Sequence, residues 1–216
     1  MEGATRLEVT IGAPVAVEVE GRELFLKRLQ TQVEGNTLHI TSAKKDWVSI
    51  GTSPRLTIRI HVPKLASLQV QGGNDVHLTG FNGGSTSIRL EGATNLHGSG
   101  RLDELTVFMA GAGTADLDSL AASVAKVTVA GVGNVTVHPE ESLDATMNGI
   151  GAIIYTGSPR DVNTHVNGLG TIGQRDRKDR TPRNGAPPVE VQPPDPNLLQ
   201  PENDENQQTP KATGVI

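Results

Sequence analysis

The sequence predicts an all-β protein, a parallel β-solenoid (a β-helix-like stack) with coils of about 18–20 residues. Three observations predict it: apolar and polar residues alternate along most of the chain, glycines recur at a regular spacing, and aromatic residues are scarce. The 216 residues include 25 Gly but only 3 Phe, 1 Trp and 1 Tyr. With so few rings, the core must be built from Val, Leu, Ile and Ala, which suits thin stacked layers.

The N-terminal region, residues 1–64, is predicted to form strands of the same domain that pack on one end of the solenoid as a cap. Its segments RLEVTIG, APVAVEVEG, NTLHITS and PRLTIRIHV alternate apolar and polar residues, which is the period of half-buried strands. Gly, Pro and Asn separate these segments, as turns require. The glycine repeat begins after this region, so we expect it to fold over one end.

Residues 65–173 contain an internal repeat. Six anchor glycines, spaced by 18–20 residues, mark the copies: Gly72, Gly92, Gly111, Gly131, Gly149 and Gly168. Four residues after the anchors lie Val76, Leu96, Ala115, Val135, Ile153 and Ile172. In the last four copies a second glycine follows the anchor by two residues, at Gly113, Gly133, Gly151 and Gly170. We predict that these ten glycines form corners, where an inward side chain would clash or where positive φ is required.

The period of the repeat indicates how the copies stack. About 19 residues at roughly 3.3 Å each make a path of about 60 Å, which can circle a narrow core and return one strand spacing higher. A single coil cannot bury its apolar side alone, so successive coils must pair through parallel ladders. An antiparallel sandwich would also alternate apolar and polar residues, but it would not explain a fixed period with a shared phase.

Two further segments complete the element assignment. DSLAASVAK, residues 118–126, is the only segment with a helical pattern, and it is too short to change the fold class. Residues 174–216 hold most of the 13 prolines and almost no apolar residues. Such a segment cannot bury enough apolar surface to offset its ordering entropy, so we predict a disordered Pro-rich and charged tail.

The composition excludes several functions. A net charge of −5 argues against nucleic-acid binding, and the lack of Cys excludes thiol chemistry. No apolar run reaches the roughly 20 residues that span a bilayer. The first residues, MEGATRLEVT, lack the basic and apolar regions of a signal peptide, which leaves a cytosolic protein and a processed exported protein both open.

A Gly-x-Gly-x-x-Gly pattern at Gly168, Gly170 and Gly173 has the spacing of a dinucleotide-binding turn. That turn needs a following helix whose N-terminus meets the pyrophosphate. The residues that follow here, QRDRKDRTPRNGAPP, are charged and then proline-rich. The pattern is therefore interpreted as the sixth corner of the repeat, and no nucleotide or other cofactor is predicted.

The candidates for catalysis and metal binding are few. His77 and His97 lie five residues past their anchors, and Asp116 holds the same place in the next copy, which makes a metal-binding row conceivable. Outward polar side chains on a strand are the favoured interpretation of this row. Asp116 and Asp118 are two residues apart, so they are expected to point to the same side of a strand. No acidic cluster recurs across neighbouring copies, and no catalytic or metal-ligating residue is predicted.

Other polar residues form rows of equivalent positions. One row lies three residues past the anchors: Asp75, Asn95, Thr114 and Asn134. Asn148 and Asn167 lie one residue before theirs. Stacked Asn side chains can hydrogen-bond along the coil axis, which is the favoured role. The same flat polar surface could also bind carbohydrate or another surface polymer.

The repeat carries a family resemblance. VFMAGAGTADLDSL, VTVAGVGNVTV, ATMNGIGAIIYTGSP and HVNGLGTI resemble the head domain of autotransporter adhesins, also called the GIN domain and formerly a domain of unknown function. LEVTIGAPVAVEVEG and LTIRIHVPKLASLQVQGGNDVHL resemble its N-terminal half, so the likeness runs from about residue 5 to 173. The resemblance implies a β-helix-like stack in a bacterial protein of the periplasm, outer surface or secreted fraction. The first two copies lack the second glycine, and the family's signal peptide is not found in this chain.

Two function classes follow. The first is a non-enzymatic adhesin-like protein of the cell envelope that presents a rigid β-solenoid to a cell-surface carbohydrate or protein. The alternative is a scaffolding solenoid that self-associates through its coil ends or tail, and a polysaccharide-acting enzyme is less favoured than either. QRDRKDR follows the last coil directly, so its charge opposes an open filament and leaves room for a closed homodimer.

Overall fold

The computed structural model describes residues 5–42 and 56–175, which all lie within one unit, Met1–Asp179. The elements are β1 Thr5–Ile11, β2 Ala16–Gly21, α1 Glu23–Leu26, β3 Leu29–Glu34, β4 Thr37–Ser42, β5 Leu56–Val62, β6 Ser67–Gln71, β7 Asn74–Asn82, β8 Ser85–Glu91, β9 Ala93–Met109, β10 Ala112–Val129, β11 Val132–Met147, β12 Ile150–Tyr155, β13 Asp161–Val166 and β14 Leu169–Gln174. None of the described helical residues forms a segment long and apolar enough to cross a membrane.

The repeat folds into a parallel β-solenoid of about 6 turns, which confirms the predicted fold class. Each coil has two straight segments joined by corners, and the long strands β9, β10 and β11 run through both. The segments that follow the glycine corners form the first face, ordered β14-β12-β11-β10-β9-β7-β1-β5-β2. The segments that precede the next corner form the second face, built from β6, β8, β13 and the second halves of the long strands.

The coils stack in the phase that the repeat predicts. Every coil-to-coil pairing is parallel, and the position four residues past the anchors forms one continuous line: Val76, Leu96, Ala115, Val135, Ile153 and Ile172. The first five of these side chains are buried, as are the apolar residues two positions before the first five anchors. The core is therefore a narrow column of Val, Leu, Ile, Met and Ala between the two faces.

The glycine corners stack on one another along the axis. A Cβ at Gly131 would lie well inside contact distance of the Gly111 carbonyl oxygen. Gly151 has φ of 135°, a value that favours glycine, and a Cβ there would meet the carbonyl oxygen of Gly133. The backbone packing thus supports the predicted corner role, which remains a prediction until side chains are introduced there.

The N-terminal region packs at the first coil, as predicted, and does so by continuing the first face. β1 is parallel to both β7 and β5, while β2 closes this edge antiparallel to β5. β3 and β4 form a separate hairpin. Leu7 pairs with Val76, so β1 has the phase of the repeat. The sequence explains this match, because EGATRL at residues 2–7 differs from EGATNL at residues 91–96 by one residue.

Two element predictions require correction or remain open. The segment 118–126 is not helical but lies within β10, where Leu120, Ala122 and Ala125 are buried in the core. Small residues allow close packing of coils there, and the pairing with β9 and β11 overrides local helix propensity. The predicted boundary at residue 173 falls one residue before the end of β14, and the predicted tail beyond residue 175 lies outside the described residues.

Candidate binding surface

The outer surface of the first face carries two parallel rows of polar side chains. Alternation along the strands points the intervening apolar residues into the core and these residues outward. The first row, three residues past the anchors, continues onto β1 and contains Arg6, Asp75, Asn95, Thr114 and Asn134. The second row, five residues past the anchors, contains Glu8, His77, His97, Asp116 and Thr136. The rows are in register because the coils are.

The two histidines of the second row stack on each other. The ring centroids of His77 and His97 are 5.2 Å apart and the ring planes differ by 18°. His77 Nε2 lies 3.3 Å from Asp75 Oδ1, and Asp75 Oδ2 accepts a hydrogen bond from Arg6 Nη2 at 3.1 Å. The imidazole pair is therefore anchored by a carboxylate of the neighbouring row.

The predicted His77, His97 and Asp116 row forms in register but does not converge on a metal position. Asp116 Oδ1 accepts a hydrogen bond from the Asp118 backbone N–H at 3.3 Å, while the carboxylate beside the imidazoles is that of Asp75. Within residues 5–42 and 56–175, no three His, Asp or Glu side chains are grouped so that they could hold a metal ion. The arrangement is that of an outward polar row.

Hydrogen bonds run along the axis within the rows, as expected for a polar ladder. The Thr114 hydroxyl donates to Asn95 Oδ1 at 3.1 Å, and Asn167 Nδ2 donates to Asn148 Oδ1 at 3.0 Å. Each bond joins neighbouring coils. These bonds hold the side chains in fixed rotamers and leave their remaining donors and acceptors facing solvent.

The expectation that Asp116 and Asp118 share one side of the strand is wrong. Asp116 is exposed, whereas Asp118 is buried, because the register of β10 shifts between Asp116 and Ser119. This bulge inserts residues at the corner and turns Asp118 inward. The two carboxylates therefore cannot act as a pair on one substrate.

Asp118 instead belongs to a buried network that joins three coils. The Thr156 hydroxyl donates to Asp118 Oδ1 at 2.6 Å and lies 2.8 Å from His138 Nδ1. Because the hydroxyl hydrogen is directed to the carboxylate, Nδ1 of His138 is the donor to Thr156 Oγ1. Thr156 is buried, so its hydroxyl cannot reach a substrate in solvent. The network therefore has a structural role: it holds three coils together at the corner opposite the glycines.

A third outward row was not predicted from the sequence. It lies between the two glycines of each corner and is apolar and exposed in the later coils: Ala112, Val132, Ile150 and Leu169. The signal was present in the sequence, since the middle residue of each Gly-x-Gly is apolar. The Gly168, Gly170 and Gly173 pattern ends in strand β14, not in a helix.

Residues 1–159 match the family described as "Putative auto-transporter adhesin, head GIN domain". A crystal structure of a "putative adhesin" from Bacteroides fragilis is 21% identical, with 81% of this chain and 92% of that chain covered and a TM-score of 0.58. Among curated proteins, no relative of this chain is detected.

Two crystal structures from Parabacteroides distasonis are similar at lower TM-scores. One, of a "putative adhesin", is 17% identical over 81% of this chain and 90% of that chain, with a TM-score of 0.45. The other, of a "putative lipid binding protein", is 20% identical over 81% of this chain and 92% of that chain, with a TM-score of 0.38.

The family match and the match to the Bacteroides fragilis structure each cover most of this chain. The Bacteroides fragilis structure, at 21% identity, shows the shared fold. The family match begins at residue 1 and ends at residue 159, before β13, whereas the sequence resemblance extends to about residue 173. It nevertheless covers well over half of the 216 residues. The chain therefore belongs to the putative auto-transporter adhesin head GIN domain family.

Proposed function

We propose that this protein is a non-enzymatic, adhesin-like binding module that acts in the periplasm, on the outer surface or in the secreted fraction of a bacterium. Its ligand is a cell-surface carbohydrate that lies across the outer surface of the first face. The observation that carries this proposal is the pair of in-register polar rows, repeated from coil to coil. Membership in the adhesin head-domain family supports the location and the class of function.

The chemistry of the rows suits a hydroxyl-rich polymer. Asn amides both donate and accept hydrogen bonds, Thr hydroxyls do the same, and Asp accepts only. Equivalent side chains recur about every 4.8 Å, which is the spacing of neighbouring strands, so an extended polymer meets the same groups at each coil. The hydrogen bond between Thr114 and Asn95 fixes these two side chains before a ligand arrives, which lowers the entropy lost on binding.

The absence of catalysis is supported by the positions of the polar groups. Among the described residues, the one short hydroxyl–carboxylate contact, between Thr156 and Asp118, is buried and joins coils. The half-buried carboxylate of Asp75 and the exposed carboxylate of Asp116 lie in different rows, and Asp75 is held by Arg6. These positions favour binding without turnover.

The test is a glycan array followed by titration of the polysaccharides that bind. Asp116→Asn and Asn134→Ala, on the first face, are expected to weaken binding about tenfold, or about 1.4 kcal/mol. Asp144→Asn is the matched control, because Asp144 points outward from the second face and pairs in register with Lys126. Uniformly blank arrays would contradict the proposal, as would equal losses from the first-face and second-face variants.

Catalysis is tested with the same ligands. Polysaccharides incubated with the protein are expected to keep their length distribution when separated by chromatography. Cleavage that is lost in Asp116→Ala or His97→Ala would instead favour a polysaccharide-acting enzyme.

A further inference from the structure

The C-terminal end of the solenoid exposes its core. Val162 and Val166 of β13 occupy inward positions of the last coil, yet 43% and 47% of their surface is exposed. At the N-terminal end, the inward residues Val9 and Ile58 are each only 2% exposed. The column of apolar side chains is thus covered at one end and uncovered, among the described residues, at the other.

The same end carries unpaired backbone groups. β14 pairs with β12 and β13 with β11, and no other described strand pairs with either. The Arg175 N–H donates to the Tyr155 carbonyl oxygen at 2.9 Å. Since backbone groups alternate in direction along a strand, the groups of Ile172 point the other way, toward the open edge. On β13, Asn167 N–H donates to Met147, so the groups of Thr164 likewise point to the open edge.

The open edge of the first face lacks the features that prevent strands from pairing, and β13 carries one charged residue, Asp161, at its first position. β14, with the sequence LGTIGQ, has no charged residue and no proline. The edge strand at the other end differs, because β2 carries Glu18 and Glu20, and Glu20 Oε2 accepts a hydrogen bond from Arg59. Charged side chains of this kind disfavour edge-to-edge association. The C-terminal edge is therefore the one suited to pairing.

We propose that two copies of this chain join at their C-terminal ends, with β14 pairing with β14 and β13 pairing with β13 of the second copy. A strand that pairs with its own copy about a two-fold axis must run antiparallel to it. This inference does not depend on the proposed ligand.

The register of the pairing follows from the strands. Residues that lie opposite each other must face the same side of the sheet, so the axis passes through a residue on each strand. A two-fold axis through Thr164 and Ile172 fits both strands. Each of these residues occupies a core-facing position and lies four positions from the corner at Gly168. Each also directs its backbone N–H and C=O groups to the open edge. Val162 then lies opposite Val166 of the second copy, and Ile172 opposite Ile172, which covers the exposed end of the core.

The charges at the chain's exit are compatible with this arrangement. The basic sequence RDRKDR begins at Arg175, directly after β14. With β14 strands antiparallel, the two exit points are separated by the length of a strand of six residues, about 20 Å. This distance exceeds the screening length of about 8 Å at physiological salt, so the like charges interact weakly.

The difference between the two ends of the solenoid disfavours an open filament. At the N-terminal end the first face extends beyond β7 by β1, β5 and β2, whereas among the described strands the second face stops at β6. The two faces therefore end at different heights and cannot match the C-terminal end of another copy. When two C-terminal ends pair with each other, no C-terminal end is left for a third copy, so the assembly stops at a dimer.

The test is sedimentation velocity of the full chain over a wide concentration range. The chain is expected to form dimers, and Val166→Lys is expected to weaken the dimer by about two orders of magnitude, because each dimer would bury two lysines. Ile150→Lys is the matched control: Ile150 is 49% exposed, close to the value for Val166, but faces outward one coil away. The control is expected to dimerise as the parent does, and both variants should keep the parent's circular dichroism. Monomers at every concentration, or equal effects of the two variants, would overturn the proposal.

A cross-link tests the register. The sequence has no Cys, so Ile172→Cys introduces the only thiol. Directly opposed residues in a hydrogen-bonded antiparallel pair have Cα atoms about 5.5 Å apart, within disulfide reach. Oxidation is expected to give a covalent dimer from Ile172→Cys but little from Thr171→Cys, which faces outward and lies opposite Gly173. A dimer in which Thr171→Cys cross-links better would overturn this register.

Hydrogen exchange distinguishes a second copy from another segment of the same chain as the group that covers the C-terminal end of the solenoid. The backbone amide of Ile172 is expected to gain protection as protein concentration rises. Strong protection of this amide in a monomeric sample would show that residues 176–216 of the same chain cover the end, and the proposal would fail.

Discussion

Gly131 lies directly over Gly111 in the solenoid, so closely that a Cβ at Gly131 would overlap the Gly111 carbonyl oxygen. The overlap involves backbone, which cannot move aside as a flexible side chain can. The inter-coil hydrogen bond from Val132 N–H to the Gly111 carbonyl oxygen, 2.9 Å long, uses the same oxygen. The close spacing of the two coils at this corner therefore requires a residue without a side chain at position 131.

Gly131→Ala is therefore expected to destabilise the fold by about 1–3 kcal/mol, the range for overpacking at a close-packed site. Urea denaturation measures the change. Gly173→Ala is the matched control, because a Cβ there meets no atom within 4 Å, and it should change stability by less than about 0.5 kcal/mol. Equal stability of the two variants would show that the corners tolerate a side chain.

Leu96→Ala is expected to cost about 2–5 kcal/mol, because Leu96 is buried at the centre of the core column and its loss leaves a cavity. Leu169→Ala is the matched control, since Leu169 is exposed at the outer corner of the last coil. It should cost less than about 0.5 kcal/mol. Thermal unfolding followed by circular dichroism distinguishes the two, and a large effect of Leu169→Ala would contradict the outward direction of its row.

Thr156→Val is expected to destabilise the protein by about 1–3 kcal/mol, because it removes the hydroxyl that donates to the buried Asp118 carboxylate. The shape of the side chain is nearly unchanged, so the loss reports the hydrogen bonds. Thr171→Val, at an exposed site on β14, is the control and should have little effect. A neutral Thr156→Val would show that the network contributes nothing net.

Glu91 provides a prediction on pH. Hydrogen bonds from Arg89 and Gln71 hold the pKa of Glu91 below its ordinary value of 4.5. A carboxylate whose pKa is lowered on folding contributes stability that is present above its unfolded pKa and is lost as the pH falls through the folded value. Arg89→Ala should therefore raise the pKa of Glu91 toward 4.5, as followed by NMR titration. An unchanged pKa would show that Arg89 does not hold this carboxylate in solution.

The repeat was readable from the sequence because it combines two independent signals. Glycine spacing gave the period, and the apolar residues from Val76 to Ile172 gave the phase, so the pairing of coils could be predicted residue by residue. β1 was predicted as a strand, but its place in the stack of coils was missed because it contributes only half a coil. Its EGATRL sequence matches the corner sequence EGATNL, but no second half follows at the expected spacing.

The candidate site was predictable only in part. The period places His77 beside His97, and their stacking follows directly from the register. The period does not determine which carboxylate contacts the imidazoles, because that depends on side-chain rotamers. Asp118 was misplaced because a bulge breaks the alternation at the corner, and its partner Thr156 lies 38 residues away in sequence.

The position of the last strand also determines how the protein responds to mechanical load. The chain leaves the described fold at Arg175, directly after β14. β14 runs perpendicular to the solenoid axis, and its hydrogen bonds to β12 run along that axis. A force that pulls Arg175 along this axis loads the hydrogen bonds of β14 one after another, not all together. Coils should then unwind in sequence from this end, each lengthening the chain by about 60 Å, whereas a joined second copy would shield the strand that yields first.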